Sequence, residues 1–135
     1  MMKKNLKIYG YIIGSRGHSI VFITHNRCLS SNMVNHGEVT GITLRKTMST
    51  LLCFLLERKD EYITEDVEIL KSVWESNDLR ASSQRLWQVM NSIESKFRDV
   101  GLTETVFTRV RGKGYAVNSK IITPLFIECK DECFL

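Results

Sequence analysis

Gln84, Arg85, Gln88, Asn91 and Ser92 fall within Ser82–Phe97, at spacings that gather them on one side of a helix. They offer amides, a hydroxyl and a single guanidinium where an ordinary solvated helix face favours Glu and Lys. Asn and Gln can each form paired hydrogen bonds with adenine, and Arg with guanine, in a groove wide enough to admit a helix. On this stretch alone, that chemistry and the plainer alternative of an amide-rich surface helix stand equal. Downstream, Thr105–Val117 collects Arg109, Arg111 and Lys113 around Gly112 and Gly114, with Tyr115 following. Such an extended cationic finger is suited to a polyanion backbone. Gly112-Lys113 is not a nucleotide-phosphate loop, because no upstream glycine and no following Ser or Thr completes that motif. No Ser/His/Asp set, paired carboxylates or metal constellation is visible, so the chain does not read as an enzyme.

These side chains need rigid elements to hold them. Leu86, Met90, Ile93 and Phe97 are four, three and four apart, an apolar helical stripe with Val89 and Val100 at its edge. Ser82 or Ser83 can cap its start and Gly101 can end it. In Thr105–Val117, β-branched and aromatic runs flank two glycines, the pattern of a tight hairpin. A first helix is expected from about Leu44 to Arg58, with Leu44, Met48, Leu51 and Leu55 on its core stripe. A second is expected from an N-cap at Thr64, with Glu65 and Asp66 complementing the dipole. Ile69, Leu70, Val73 and Trp74 form its buried arc. Before the helices, Ile8–Ile13, Ser19–Ile23 and Glu38–Thr43 read as strands of a three- or four-stranded antiparallel sheet.

With 135 residues, 43% of them hydrophobic and 25% charged, the chain can build one modest core. Its net charge of +4 says little about partners; the distribution says more. From Glu57 to Asp78, eight acids face three bases, a balance of −5. From Leu79 to Val117, seven bases face three acids, a balance of +4. Positive charge thus collects on the amide-faced helix and the hairpin, the distribution of a phosphate-binding face; plain solvation is the competing account. Cys28, Cys53, Cys129 and Cys133 make no disulfide or zinc framework, and neither a metal nor another cofactor is expected. No signal peptide or continuous apolar span is visible, so the reading is of a reduced, cytoplasmic protein with no membrane contact.

The order of elements, Trp74 ahead of the amide-faced helix, and Val110-Arg111-Gly112-Lys113-Gly114-Tyr115 resemble the winged helix-turn-helix domain of the bacterial OmpR/PhoB-type family, in the style of ToxR- and CadC-like regulators. The resemblance spans about Tyr9 to Val117, and its most specific part is the wing. It implies an α+β fold: an N-terminal antiparallel sheet over about 6–43, three helices and a C-terminal β-hairpin wing over about 44–117. On that reading residues 1–120 form the domain, and 121–135 a short tail that is either a strand packing back on it or a dimer contact. The function implied is sequence-specific binding of double-stranded DNA and regulation of transcription. The recognition helix would enter the major groove and the wing arginine the minor groove, with Trp74 and Tyr115 as further contacts. RNA polymerase touching the Glu75–Arg80 loop, a homodimer on DNA, and association with the nucleoid follow as expectations. The alternative is a winged-helix module that binds another regulator instead of DNA. Two features depart from the family pattern. The link between Trp74 and the recognition helix is about one residue longer, and the helix carries fewer arginines, which shifts phosphate anchoring to the wing. Neither a receiver domain ahead of the sheet nor a membrane anchor is read in the chain.

Overall fold

The computed structural model describes residues 5–31, 41–77 and 79–129. Four N-terminal strands, β1 (Leu6–Ile13), β2 (Ile20–Ile23), β3 (Cys28–Ser31) and β4 (Gly41–Thr43), are joined by a late one, β8 (Ile122–Glu128). The resulting antiparallel sheet has the order β4-β3-β2-β1-β8. Register makes one face apolar: Tyr11 and Leu29 both lie opposite Phe22, and Ile20 and Ile122 both lie opposite Ile13. All six are buried in the single core. Such cross-strand rows are the unit by which a sheet is stabilised.

Two differences from the sequence reading appear here. The sheet has five strands, not three or four. Strand β3 carries only Leu29 as a buried apolar residue, so pairing with β2 and β4, not its own composition, makes it a strand. Of the expected strand Glu38–Thr43, only Gly41–Thr43 lies within the described residues. Over Ile122–Glu128 the tail is a strand, hydrogen-bonded to β1; residues 130–135 lie outside the described part.

Helix α1 (Lys46–Glu57) turns Met48, Leu51, Leu52, Leu55 and Leu56 into the core. It begins later than Leu44, whose N–H donates to the Arg27 carbonyl at 2.8 Å and whose side chain is nevertheless buried. The expected N-cap at Thr64 is also corrected. Thr64–Glu65 is instead a short strand, β5, which pairs with Tyr115 and Gly114. Its backbone groups are spent on that ladder, and α2 (Asp66–Ile69) follows with no side-chain cap. The helix continues as a π-helical turn, Leu70–Trp74, and a 3-10 turn, Glu75–Asn77. This winding brings the neighbours Val73 and Trp74 inward together.

Helix α3 (Ser83–Asp99) is closed at both ends. The Ser82 hydroxyl accepts the Arg85 N–H at 3.0 Å. At the other end Gly101 takes φ 100°, its N–H donates to Arg98, and the Leu102 N–H reaches back to Phe97. That paired arrangement is the Schellman motif, and it requires a residue at ease with positive φ. Leu86, Met90, Ile93 and Phe97 are buried as the periodicity predicts. Burying each stabilises the fold by about 1.5–3 kcal/mol. Strands β6 (Phe107–Val110) and β7 (Gly114–Val117) form a hairpin that, with β5, makes a second sheet of order β5-β7-β6. In the loop from α3 to β6, Glu104 accepts hydrogen bonds from the N–H and hydroxyl of Ser15, tying the β1–β2 turn to the approach to the hairpin.

Candidate nucleic-acid interface

Opposite the buried stripe of α3, Gln84, Arg85, Gln88, Asn91, Ser92 and Ser95 are all exposed. Among the described residues, no intramolecular hydrogen bond engages the side chains of Gln84, Arg85, Gln88 or Asn91. Their donors and acceptors are therefore available to a ligand, while the helix under them is held by its stripe and two caps. From Ser83 to Ile93 the helix carries no acid, so nothing in its first turns repels a phosphate.

The wing is a three-residue loop, residues 111–113, closed by the Lys113 N–H donating to the Val110 carbonyl at 3.0 Å, with Gly112 at φ 72°. Its base is fastened to the start of α2. The Asp66 N–H, one of the donors a helix N-terminus leaves unpaired, donates to the Lys113 carbonyl at 2.8 Å. The Asp66 carboxylate accepts two hydrogen bonds from the Arg109 guanidinium, at 2.6 and 2.7 Å. This bidentate pair is the strong form of an ion pair, and it raises the Arg109 pKa above its already high ordinary value. The guanidinium also lies 4.8 Å from the centre of the Tyr115 ring. Close approach of β5 leaves no room at Gly114, where an added Cβ would stand 2.0 Å from the Thr64 carbonyl oxygen.

Three of the expected contacts read differently in three dimensions. Arg109 is not at the wing tip; it sits in β6, and its charge is committed to Asp66. Tyr115, 6% exposed, lies beneath it as core. Trp74 is 2% exposed and has no surface to offer a duplex. In the Glu75–Arg80 loop, the Asn77 amide donates to the Val73 carbonyl at 2.9 Å, and the Ser76 hydroxyl donates to the Ser72 carbonyl. Both side chains cap the preceding turns, Glu75, Leu79 and Arg80 are exposed, and Asp78 lies outside the described residues. Arg111 and Lys113 are exposed at the tip and make no ion pair among the described residues.

Two further residues stand at this face. Asp66 orients the wing, but 43 positions separate it from Arg109 and no local signal connects them. Trp87 is 61% exposed on α3, as its place outside the Leu86–Met90–Ile93–Phe97 stripe implies. Away from this face, a hollow of about 430 Å³ is lined by residues including His25, Arg27, Lys46, Cys53 and Glu57. Burial, and then the Glu57 charge, push the Cys53 thiol up to about 11. Cys28, Cys53 and Cys129 are free thiols, and Cys133 lies outside the described residues. Among the described residues, no cluster of His, Cys, Asp or Glu could hold a metal, and no helix is long and apolar enough to cross a membrane.

An N-terminal sheet, three helices and a hairpin docked beside the third define a winged helix-turn-helix. The family described as "Transcriptional regulatory protein, C terminal" matches residues 38–117, more than half of the chain. The chain belongs to that family, the OmpR/PhoB-type DNA-binding domains, and is a DNA-binding domain of transcription regulation, not an enzyme. Among solved structures, the DNA-binding domain of E. coli CadC superposes with a TM-score of 0.59 at 15% identity, covering 96% of this chain and 100% of that one. That likeness is one of fold. No curated protein matches.

Proposed function

We infer that α3 enters the major groove of double-stranded DNA. Gln84, Gln88 and Asn91 meet base edges there, Ser92 and Arg85 lie at the margin of the contact, and Arg111 with Lys113 reaches the neighbouring minor groove and its phosphates. The observation that carries this reading is the outward face of α3: exposed, free of acids through its first turns, rich in amides, and locked from behind by a buried stripe. The +4 balance over Leu79–Val117 supports it. With a single arginine among the amides, most phosphate anchoring falls to the wing, which the Asp66–Arg109 pair holds in one orientation.

On this reading the protein regulates transcription from specific operators, working in the cytoplasm on the nucleoid. The exposed Glu75, Leu79 and Arg80 are the surface through which it would meet RNA polymerase, and two copies would bind side by side on an operator. Fluorescence anisotropy with a labelled duplex, repeated across a salt series, tests the binding. Affinity should fall linearly on a log–log plot with salt, by about 0.9 of slope for each phosphate neutralised. Arg111→Ala and Lys113→Ala should each flatten that slope by roughly one such step. Absence of salt-dependent duplex binding would instead favour a winged-helix module that docks on another regulator.

A further inference from the structure

The chain has two tryptophans with opposite fates: Trp74 is core, whereas Trp87 stands in the second turn of the recognition helix with most of its surface in water. An aromatic side chain can bury 150–250 Å², so leaving one exposed forgoes stability that the fold takes from Leu86, Met90, Ile93 and Phe97 on the same helix. Helical spacing puts Trp87 beside Asn91, one turn on, and Gln84, nearly one turn back, within the same exposed arc. Its surroundings are therefore amides and hydroxyls, with no acid before Glu94. An apolar ring among adenine-reading amides and a net positive field matches one surface in particular. In the major groove, thymine carries a C5 methyl group beside the hydrogen-bonding edge of the same base pair's adenine.

We propose that Trp87 is a further specificity-determining residue, its indole lying against thymine methyl groups next to the adenine that Asn91 or Gln84 reads. This rests on the major-groove reading of α3 and adds a prediction of its own: the operator holds thymine where Trp87 lands, and the methyl group is what is recognised.

Replacing thymine by deoxyuracil removes that methyl and keeps every hydrogen-bonding group. With an operator selected by the wild-type protein, uracil at one or two thymine positions should weaken binding about four-fold, the weight of one methyl group leaving an apolar contact. Trp87→Ala should bind the all-thymine operator several-fold more weakly and respond to none of the uracil substitutions. Trp87→Phe, which keeps an apolar ring, should retain part of the response. As a readout independent of affinity, operator DNA should shield the exposed tryptophan from acrylamide quenching in the wild-type protein. Wild type that selects a motif yet ignores uracil at every position overturns the Trp87 assignment and leaves base reading by the amides intact. Quenching unchanged by saturating operator overturns it too. Failure to bind any duplex overturns the assignment together with the reading beneath it.

Discussion

Arg109 and Arg111 are two positions apart, yet one orients the wing and the other is presented by it. Removing the Arg109 guanidinium leaves the Asp66 carboxylate without its bidentate partner and uncovers the Tyr115 ring. The pair is partly exposed, so Arg109→Ala should cost about 0.5–1 kcal/mol of stability and weaken binding to all duplexes alike by loosening the wing. Arg111→Ala touches no intramolecular partner among the described residues. Its thermal melt should match wild type within about 0.5 kcal/mol, while operator affinity falls by about 1–3 kcal/mol. A melt and an anisotropy titration on each variant separate the two roles. Equal affinity of Arg111→Ala and wild type for a selected operator would remove Arg111 from the interface.

At the scale of elements, the wing is positioned by strand pairing, and Gly114 is where that pairing is tightest. Gly114→Ala drives a Cβ into the Thr64 carbonyl, so β5 must separate from β7. Overpacking of this kind costs about 1–3 kcal/mol. Hydrogen exchange should show loss of protection in β5 and β7 while α3 stays protected. Unaltered protection in β5 would contradict its docking on β7. The same junction shows how far the sequence is legible. Helix α3 could be read residue by residue because its signals are local: a four-three-four stripe, a capping serine and a terminating glycine. Thr64 has the composition of an N-cap and becomes a strand, because a hairpin fifty residues later supplies its partner. Strand β3 escaped for the same reason, with Leu29 alone facing the core and its neighbours half-buried. The candidate site divides likewise. The amide face follows from periodicity, whereas the commitment of Arg109 depends on Asp66, 43 positions away, and Tyr115 is paired with the comparably distant strand β5.

Across the whole molecule, charge and titration set the conditions under which the domain holds together. Hydrogen bonds from Ser15 keep the Glu104 carboxyl below its ordinary value of 4.5. A depressed folded-state pKa contributes stability that is present above 4.5 and lost as pH falls through the lower, folded value. Glu104→Gln should therefore flatten the acid limb of a plot of melting temperature against pH. On the alkaline side, burial raises Cys53 from 9.0 to about 11 and Tyr11 from 10.0 to about 12. The unfolded chain releases these protons first, so stability falls as pH rises from about 9 toward 12, and Tyr11→Phe should lessen that fall. An alkaline limb identical in Tyr11→Phe and wild type would contradict the assignment. On the proposed reading, the positive face of α3 and the wing meets DNA between these limits, and the amides decide which bases it prefers. The most direct measurement is a selection from random duplexes with the wild type, Gln88→Ala and Asn91→Ala, alongside a thermal melt of each. Both variants should fold within about 0.5 kcal/mol of wild type. Each should also lose preference at one or two base pairs of the selected motif, worth roughly 1–3 kcal/mol of discrimination. Variants that fold normally and select the same motif with undiminished stringency would contradict base reading by the amides.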